Sequence, residues 1–123
     1  MEWSFRPDAP IYTQLCEQLT LWIVSGAFPP GSRLPAVREL AVDAGVNPNT
    51  VQRALGELER GGLVYAQRTA GRFVTEDTKR IAQERQKLAE ARARDFLAAM
   101  RKLGCDRAET VALLEKMEGA DNA

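Results

Sequence analysis

The stretch Leu34–Gly62, LPAVRELAVDAGVNPNTVQRALGELERGG, constrains the fold more than any other part of the chain. Its apolar spacing predicts two short helices and a tight turn. The first spans about Pro35–Asp43, where Val37, Leu40 and Ala41 recur at i, i+3, i+4 and make one buried stripe. Gly45 follows where a helix C-terminus favours a residue tolerant of positive φ. Asn47 before Pro48 reads as an N-cap with proline at the first helical position. The second helix then spans about Pro48–Arg60, with Val51, Ala54, Leu55 and Leu58 inward. Asn47, Asn49, Thr50, Gln52 and Arg53 are left around its leading end and outer face. Short polar side chains and one Arg at the exposed start of a second helix suit contact with base edges and phosphates. The pattern fits a helix-turn-helix; alone, it fits equally an αα-hairpin with a merely solvated polar face.

The flanks favour the first reading. Upstream, Ile11–Ser25 is expected to be a helix with Ile11, Leu15, Leu19, Trp22 and Ile23 on one face. Phe28-Pro29-Pro30-Gly31 forces a turn, and Arg33 at its end is a candidate phosphate clamp or a solvated side chain. Before it, Met1–Ala9 alternates apolar Trp3 and Phe5 with polar residues and reads as a short extended arm on the core. Downstream, Gly61-Gly62 breaks the chain and Leu63–Ala66 and Arg72–Thr75 read as strands around a tight turn. Arg68 and Arg72 lie at or beside that hairpin's tip, where two arginines can reach a phosphate or a minor groove and, as isolated features, fit solubility residues equally. Three helices and a hairpin bury one small core: Leu15, Leu19, Ile23, Leu34, Val37, Leu40, Val51, Leu55, Leu58, Leu63 and Phe73. Residues 1–76 thus read as a winged helix-turn-helix domain.

Charge does not advertise a nucleic-acid partner. Lys/Arg and Asp/Glu number 17 each, split 7 against 8 over residues 1–76 and 10 against 9 over 77–123. Attraction to DNA must come from a few placed arginines. There is no histidine, and Cys16 and Cys105 stand far apart, which argues against a metal site and for a reducing compartment. No cofactor, nucleophile elbow, phosphate loop or catalytic constellation is seen, so no enzyme is expected. No apolar run approaches membrane-spanning length and the N-terminus lacks signal-peptide character. The expectation is a cytoplasmic protein without a membrane partner.

From Asp77 the chain has no proline. Asp77–Leu103 reads as one helix of 27 residues, spanning about 40 Å at ~1.5 Å per residue. Its start is charged and sparsely apolar; its end carries Phe96, Leu97, Met100 and Leu103. After Gly104, Asp106 with Glu109 three positions on resembles a capping box for a last helix bearing Val111, Leu113, Leu114 and Met117. Gly119–Ala123 reads as a polar, disordered tail. Two amphipathic helices cannot bury both faces on each other, so residues 77–123 are expected to pair with a second copy in a homodimer through Phe96, Leu97, Met100, Leu103, Val111 and Leu114. The fold class is mainly α with a small β-hairpin: an N-terminal winged helix-turn-helix followed by two C-terminal dimerisation helices.

Four segments resemble the GntR family of bacterial transcription regulators: Pro10-Ile11-Tyr12-x-Gln14; Gly26-x-Phe28-x-Pro30-Gly31-x-x-Leu34-Pro35-x-x-Arg38-Glu39-Leu40-Ala41; Val46-Asn47-Pro48-Asn49-Thr50-Val51-x-Arg53-Ala54-Leu55; and Gly71-x-Phe73-Val74. The match covers about residues 10–74, and the short remainder is similar to the small YtrA-type subfamily, whose two-helix tail serves dimerisation. The resemblance implies that Arg38 reads a guanine, that Asn47, Asn49, Thr50 and Gln52 meet bases and phosphates, and that Arg33, Arg53, Arg68, Thr69 and Gly71 hold backbone or minor groove. It implies a homodimer on a palindromic operator of double-stranded DNA, usually a repressor, with a neighbouring transporter operon as target. The chain departs from the family pattern at Ala36, where Ser is common, at Leu55-Gly56, where an aromatic-containing pair is common, and at Thr69-Ala70, where a glycine is frequent. A small-molecule effector beside Trp22 or Phe96 is compatible with the sequence and not demanded by it. A winged-helix protein–protein adaptor with the tail as its working surface is the alternative.

Overall fold

The computed structural model describes residues 1–121, which form five helices and one two-stranded antiparallel sheet. In chain order these are α1 (Ile11–Val24), α2 (Val37–Ala44), α3 (Pro48–Arg60), β1 (Val64–Gln67), β2 (Gly71–Val74), α4 (Thr78–Lys102) and α5 (Arg107–Asp121). Packing divides the chain into two compact units, Met1–Arg85 and Gln86–Ala123.

The first unit is built on α1 and α3. Leu15, Leu19 and Ile23 repeat at four-residue spacing along α1, and Val51, Ala54, Leu55 and Leu58 line one face of α3; all are buried. Leu40 and Ala41 of α2, Leu34, Leu63, Val64 and Val74 close the same core. Full burial of each such Val, Leu or Ile contributes roughly 1.5–3 kcal/mol relative to exposure. Ile81, on the first turns of α4, is also buried, and Arg80 donates from Nε to the Gly61 carbonyl at 2.9 Å, so this unit extends to Arg85.

Three local expectations are corrected. The helix expected from Pro35 starts at Val37, because the chain before it pairs with the wing: Leu34 N–H donates to the Arg72 carbonyl at 2.9 Å and Arg33 bridges Phe73. Ala36 is its extended N-cap (φ −65°, ψ 156°) and supplies no side-chain cap. The strands sit one position off those expected, at 64–67 and 71–74. The turn 68–70 closes on the pair Gln67↔Gly71, and that closure fixes the register, with Val64 facing Val74. Val74 therefore enters the core, while Phe73 and Val37, expected inside, are half-buried; Phe73 stacks on Tyr65 at 5.6 Å.

The N-terminal arm takes no regular structure but is tied down. Buried Gln14 accepts from the Arg6 amide at 2.7 Å and donates to the carbonyls of Arg6 (2.8 Å) and Ala9 (2.9 Å). Trp3 meets Trp22 edge-on at 4.7 Å and donates its Nε1–H to Asp43 at 2.7 Å. Trp22 meets Phe28 edge-on in turn.

The second unit holds the later part of α4 and α5. Asp106 caps α5 as expected: its carboxylate accepts from Glu109 N–H at 2.8 Å while Glu109 accepts from Asp106 N–H at 3.3 Å. Phe96, Leu103, Val111, Leu113, Leu114 and Met117 remain 41–76% exposed. Phe96, Leu97, Val111 and Leu114 line an open apolar cleft of about 410 Å³, to whose lining Arg101 and Arg107 also contribute. The tail expected to be loose from Gly119 is helical as far as Asp121; Asn122 and Ala123 lie outside the described residues.

Candidate nucleic-acid interface

The faces of α3 follow from its sequence. With Val51, Ala54, Leu55 and Leu58 inward, Asn49, Arg53 and Arg60 fall at the centre of the outward face. Gln52 and Glu59, two turns apart, fall on the flank toward the hairpin, and Glu57 on the flank toward α1. Asn47 N-caps the helix: its Oδ1 accepts from Asn49 N–H at 2.8 Å, so that oxygen holds the chain rather than facing outward. Gly45, left-handed at φ 69°, ends α2 and lets the chain turn into this cap. The α3 N-terminus carries the positive end of the helix dipole and presents Asn49 to solvent; Thr50 is half-buried.

Both flanks of α3 are braced. On the α1 side, the Arg53 guanidinium lies over the Tyr12 ring, 3.9 Å from its centroid. The Tyr12 hydroxyl donates to Glu57 at 3.3 Å, and Glu57 pairs with Arg60. On the wing side, Arg72 leaves β2 toward α3, giving its Nε–H to Glu59 and its Nη1 to Gln52 Oε1, the latter at 3.2 Å. The expectation that Arg72 reaches outward from the hairpin tip is therefore corrected: Glu59 holds it against α3. Tyr12 is marked in the sequence only as part of a family segment, with no role at the site, and Glu59 is not marked at all. Their partners lie 45 and 13 positions away, and only the packed fold brings them together.

The other sequence-identified residues lie on the segments that precede and follow α3 in the chain. Arg38 is exposed at the second position of α2. Arg68 and Thr69 are exposed in the turn between β1 and β2. Gly71 sits at φ 105°, and a Cβ there would meet Arg33 Nε at 3.2 Å; that glycine lets the wing return beside the Arg33 guanidinium. Arg33, Arg38, Arg53 and Arg68 are exposed and form no ion pair among the described residues. A neutral chain thus leaves four arginines of this unit exposed with no carboxylate partner among the described residues.

Four proton equilibria are shifted along the α1 side of α3. The hydrogen bond from Arg60, and then its charge, holds the Glu57 carboxyl below the usual glutamate range. The same bond raises Arg60 above its ordinary value. Burial pushes the Cys16 thiol up, which keeps it protonated at neutral pH. Burial, followed by the neighbouring Cys16 and Glu57, raises Tyr12, so its phenol stays a donor. Among the described residues no group of three or more His, Cys, Asp or Glu is placed to hold a metal, and no helix is long and apolar enough to cross a membrane.

The chain is similar to known proteins in sequence and in fold. The HTH-type transcriptional regulator YhcF of Bacillus subtilis is 36% identical over 109 residues, 89% of this chain and 90% of its own. The HTH-type transcriptional repressor YtrA of Bacillus subtilis is 42% identical over 74 residues, 60% of this chain and 57% of its own. A GntR family transcriptional regulator from Listeria monocytogenes superposes with a TM-score of 0.84 at 38% identity, covering 91% of this chain and 98% of that one. The AraR DNA-binding domain, solved in complex with operator ORE1, superposes with a TM-score of 0.53 at 30% identity, covering 61% and 94%. The sequence model described as "Bacterial regulatory proteins, gntR family" matches residues 11–74, the span that contains α1, the helix pair and the wing. With that match over half its length, the chain belongs to the GntR family of bacterial regulatory proteins.

Proposed function

We propose that the protein is a sequence-specific DNA-binding transcription regulator, acting as a repressor and as a homodimer on a palindromic operator. The observation that carries this reading is α3 itself: its outward face bears Asn49 and Arg53, its wing-side flank bears Gln52, and Arg33, Arg38 and Arg68 on the flanking segments are exposed without an ion pair among the described residues. In this reading α3 enters a major groove. Arg38 makes a bidentate contact to guanine, Asn49, Thr50 and Gln52 meet base edges and phosphates beside it, and Asn47 sets the leading turn. Arg53, braced on Tyr12, and Arg33 hold backbone phosphates. Arg68, Thr69 and Gly71 carry the wing to backbone or minor groove.

The second unit supplies the pairing. Phe96, Leu97, Met100, Leu103, Val111 and Leu114 form the surface that a second copy covers, doubling the reading head so that two α3 helices meet half-sites about 34 Å apart. The operon beside its own gene, one for a transporter, is the target to footprint. A DNase footprint there should show a palindrome protected in a salt-dependent way. Arg38→Ala should weaken specific binding by about 1–3 kcal/mol and spare non-specific binding. An unprotected promoter together with unchanged affinity of Arg38→Ala would leave the adaptor reading instead.

A further inference from the structure

Arg72 and Gln52 form a pair with a consequence for base selection. Arginine has only donors, so the Gln52 atom that receives Arg72 Nη1 at 3.2 Å is the amide oxygen. The amide is planar, and turning Oε1 toward the wing turns Nε2 away from it, toward the outer face of α3. Arg72 is itself held. Its Nε–H is engaged by Glu59, and the two side chains are only 20% and 31% exposed. Gln52 and Glu59 sit seven residues apart, two helical turns, so one arginine spans both from a single position on β2.

We infer that Arg72 is a positioning residue that sets the hydrogen-bonding polarity of Gln52, making it a donor that selects an acceptor edge, guanine or thymine, in the major groove. This rests on the DNA-binding reading. A free glutamine offers oxygen and nitrogen together and suits the N6/N7 edge of adenine. With its oxygen engaged by Arg72, Gln52 presents N–H, which fits guanine O6 and N7 or thymine O4. The specificity at this base pair is then written partly on the wing, at a residue that touches no base.

The test is selection from a randomised operator with the full chain, followed by affinity measurements on single-base variants of the selected site. For the natural chain, one base pair in each half-site should prefer G or T by about tenfold. Gln52→Ala should flatten that position alone. Arg72→Met should free the amide and bring adenine up at the same position, while Arg72→Lys, which keeps a donor, should retain G or T. Gln52→Glu leaves the Arg72 tie intact but presents only acceptor, and should turn the preference to cytosine. The readout is a ratio between bases, so a wing loosened by Arg72→Met lowers all four affinities together and cannot imitate the rise of adenine. A natural preference for A or C at the position lost in Gln52→Ala overturns the inference. So does no position lost in Gln52→Ala, or an unchanged preference in either Arg72→Met or Gln52→Glu. Selection of no site at all by the natural chain sinks the DNA-binding reading, and this inference with it.

Discussion

The two compact units handle apolar surface in opposite ways. Residues 1–85 close theirs: Leu15, Leu40, Val51, Ala54 and Val74 are wholly inaccessible. In residues 86–121 the sole buried side chain among those described is the polar Thr110, whose hydroxyl donates to the Asp106 carbonyl at 2.8 Å, and six large apolar side chains stay open. The contrast is what the proposed function requires: a unit that reads DNA closes its own core, and a unit that pairs with a second copy leaves its apolar face available. The contrast can be broken by mutation, and the largest expected effect lies in the closed unit. Leu55→Ala removes a side chain 1% exposed between α3 and its neighbours and should cost about 2–5 kcal/mol. Chemical denaturation followed by Trp3 and Trp22 fluorescence measures it; a loss below about 1 kcal/mol would mean this core is not close-packed.

The same kind of change in the open unit should behave differently. Leu114→Ala, at a residue 43% exposed on the cleft, should leave the unfolding of residues 1–85 unchanged yet weaken self-association by about 2 kcal/mol, the size of an interface hot spot. Sedimentation across a concentration series reads the dissociation constant. If Leu114→Ala moves that constant less than about threefold, the pairing surface lies elsewhere.

The difference between the units also explains what was legible in the sequence. Helices with a one-sided apolar stripe, as in α1 and α3, announce their inner residues, and Asn47-Pro48 and Asp106 with Glu109 announce their caps; all lie within a few residues of what they act on. The strand offset was not legible, because Val74 and Phe73 compete for the core on the strength of a turn three residues long. The start of α2 was hidden too, since it depends on Leu34 pairing with β2. At the site, the exposed residues of α3 follow from helical spacing. What Arg72 does requires knowing that β2 lies beside Gln52 and Glu59, and that Tyr12 lies under Arg53 requires the α1–α3 packing. Neither has a local signature.

The helix caps give a finer comparison, at about 1 kcal/mol with opposite signs. α2 begins at Ala36, whose backbone is already extended and whose side chain caps nothing. Ala36→Ser adds the missing acceptor for a backbone N–H, with Glu39 available to answer it, and should stabilise the first unit by about 1 kcal/mol. Asp106→Ala removes the existing cap of α5 and should destabilise the second unit by about as much. Differential hydrogen exchange at the first turns of α2 and α5 separates the two. Protection changes spread evenly over both units would mean that they do not unfold independently.

The smallest effect is a pH dependence, and it belongs to the first unit. Glu57 is exposed, yet the Arg60 hydrogen bond lowers its pKa from the ordinary glutamate value. A carboxyl whose folded pKa is depressed binds protons more readily when unfolded, so its stabilisation is fully present above the unfolded value. It fades as pH falls from the ordinary glutamate range through the folded value. Glu57→Gln abolishes the ionisation but keeps an acceptor for the Tyr12 hydroxyl, so it should flatten that part of the acid limb without moving the melting point at pH 8 by more than a degree or so, because exposed pairs contribute little. The brace on Arg53 makes a second reading of the same variant informative. If the Tyr12–Glu57–Arg60 chain only steadies α3, DNA affinity at pH 8 stays as it was. If it also holds Arg53 over the tyrosine ring against the pull of solvent, affinity falls while the melting point does not. That split would place the first determinant of phosphate contact on α1, outside the helix pair proposed to read the bases.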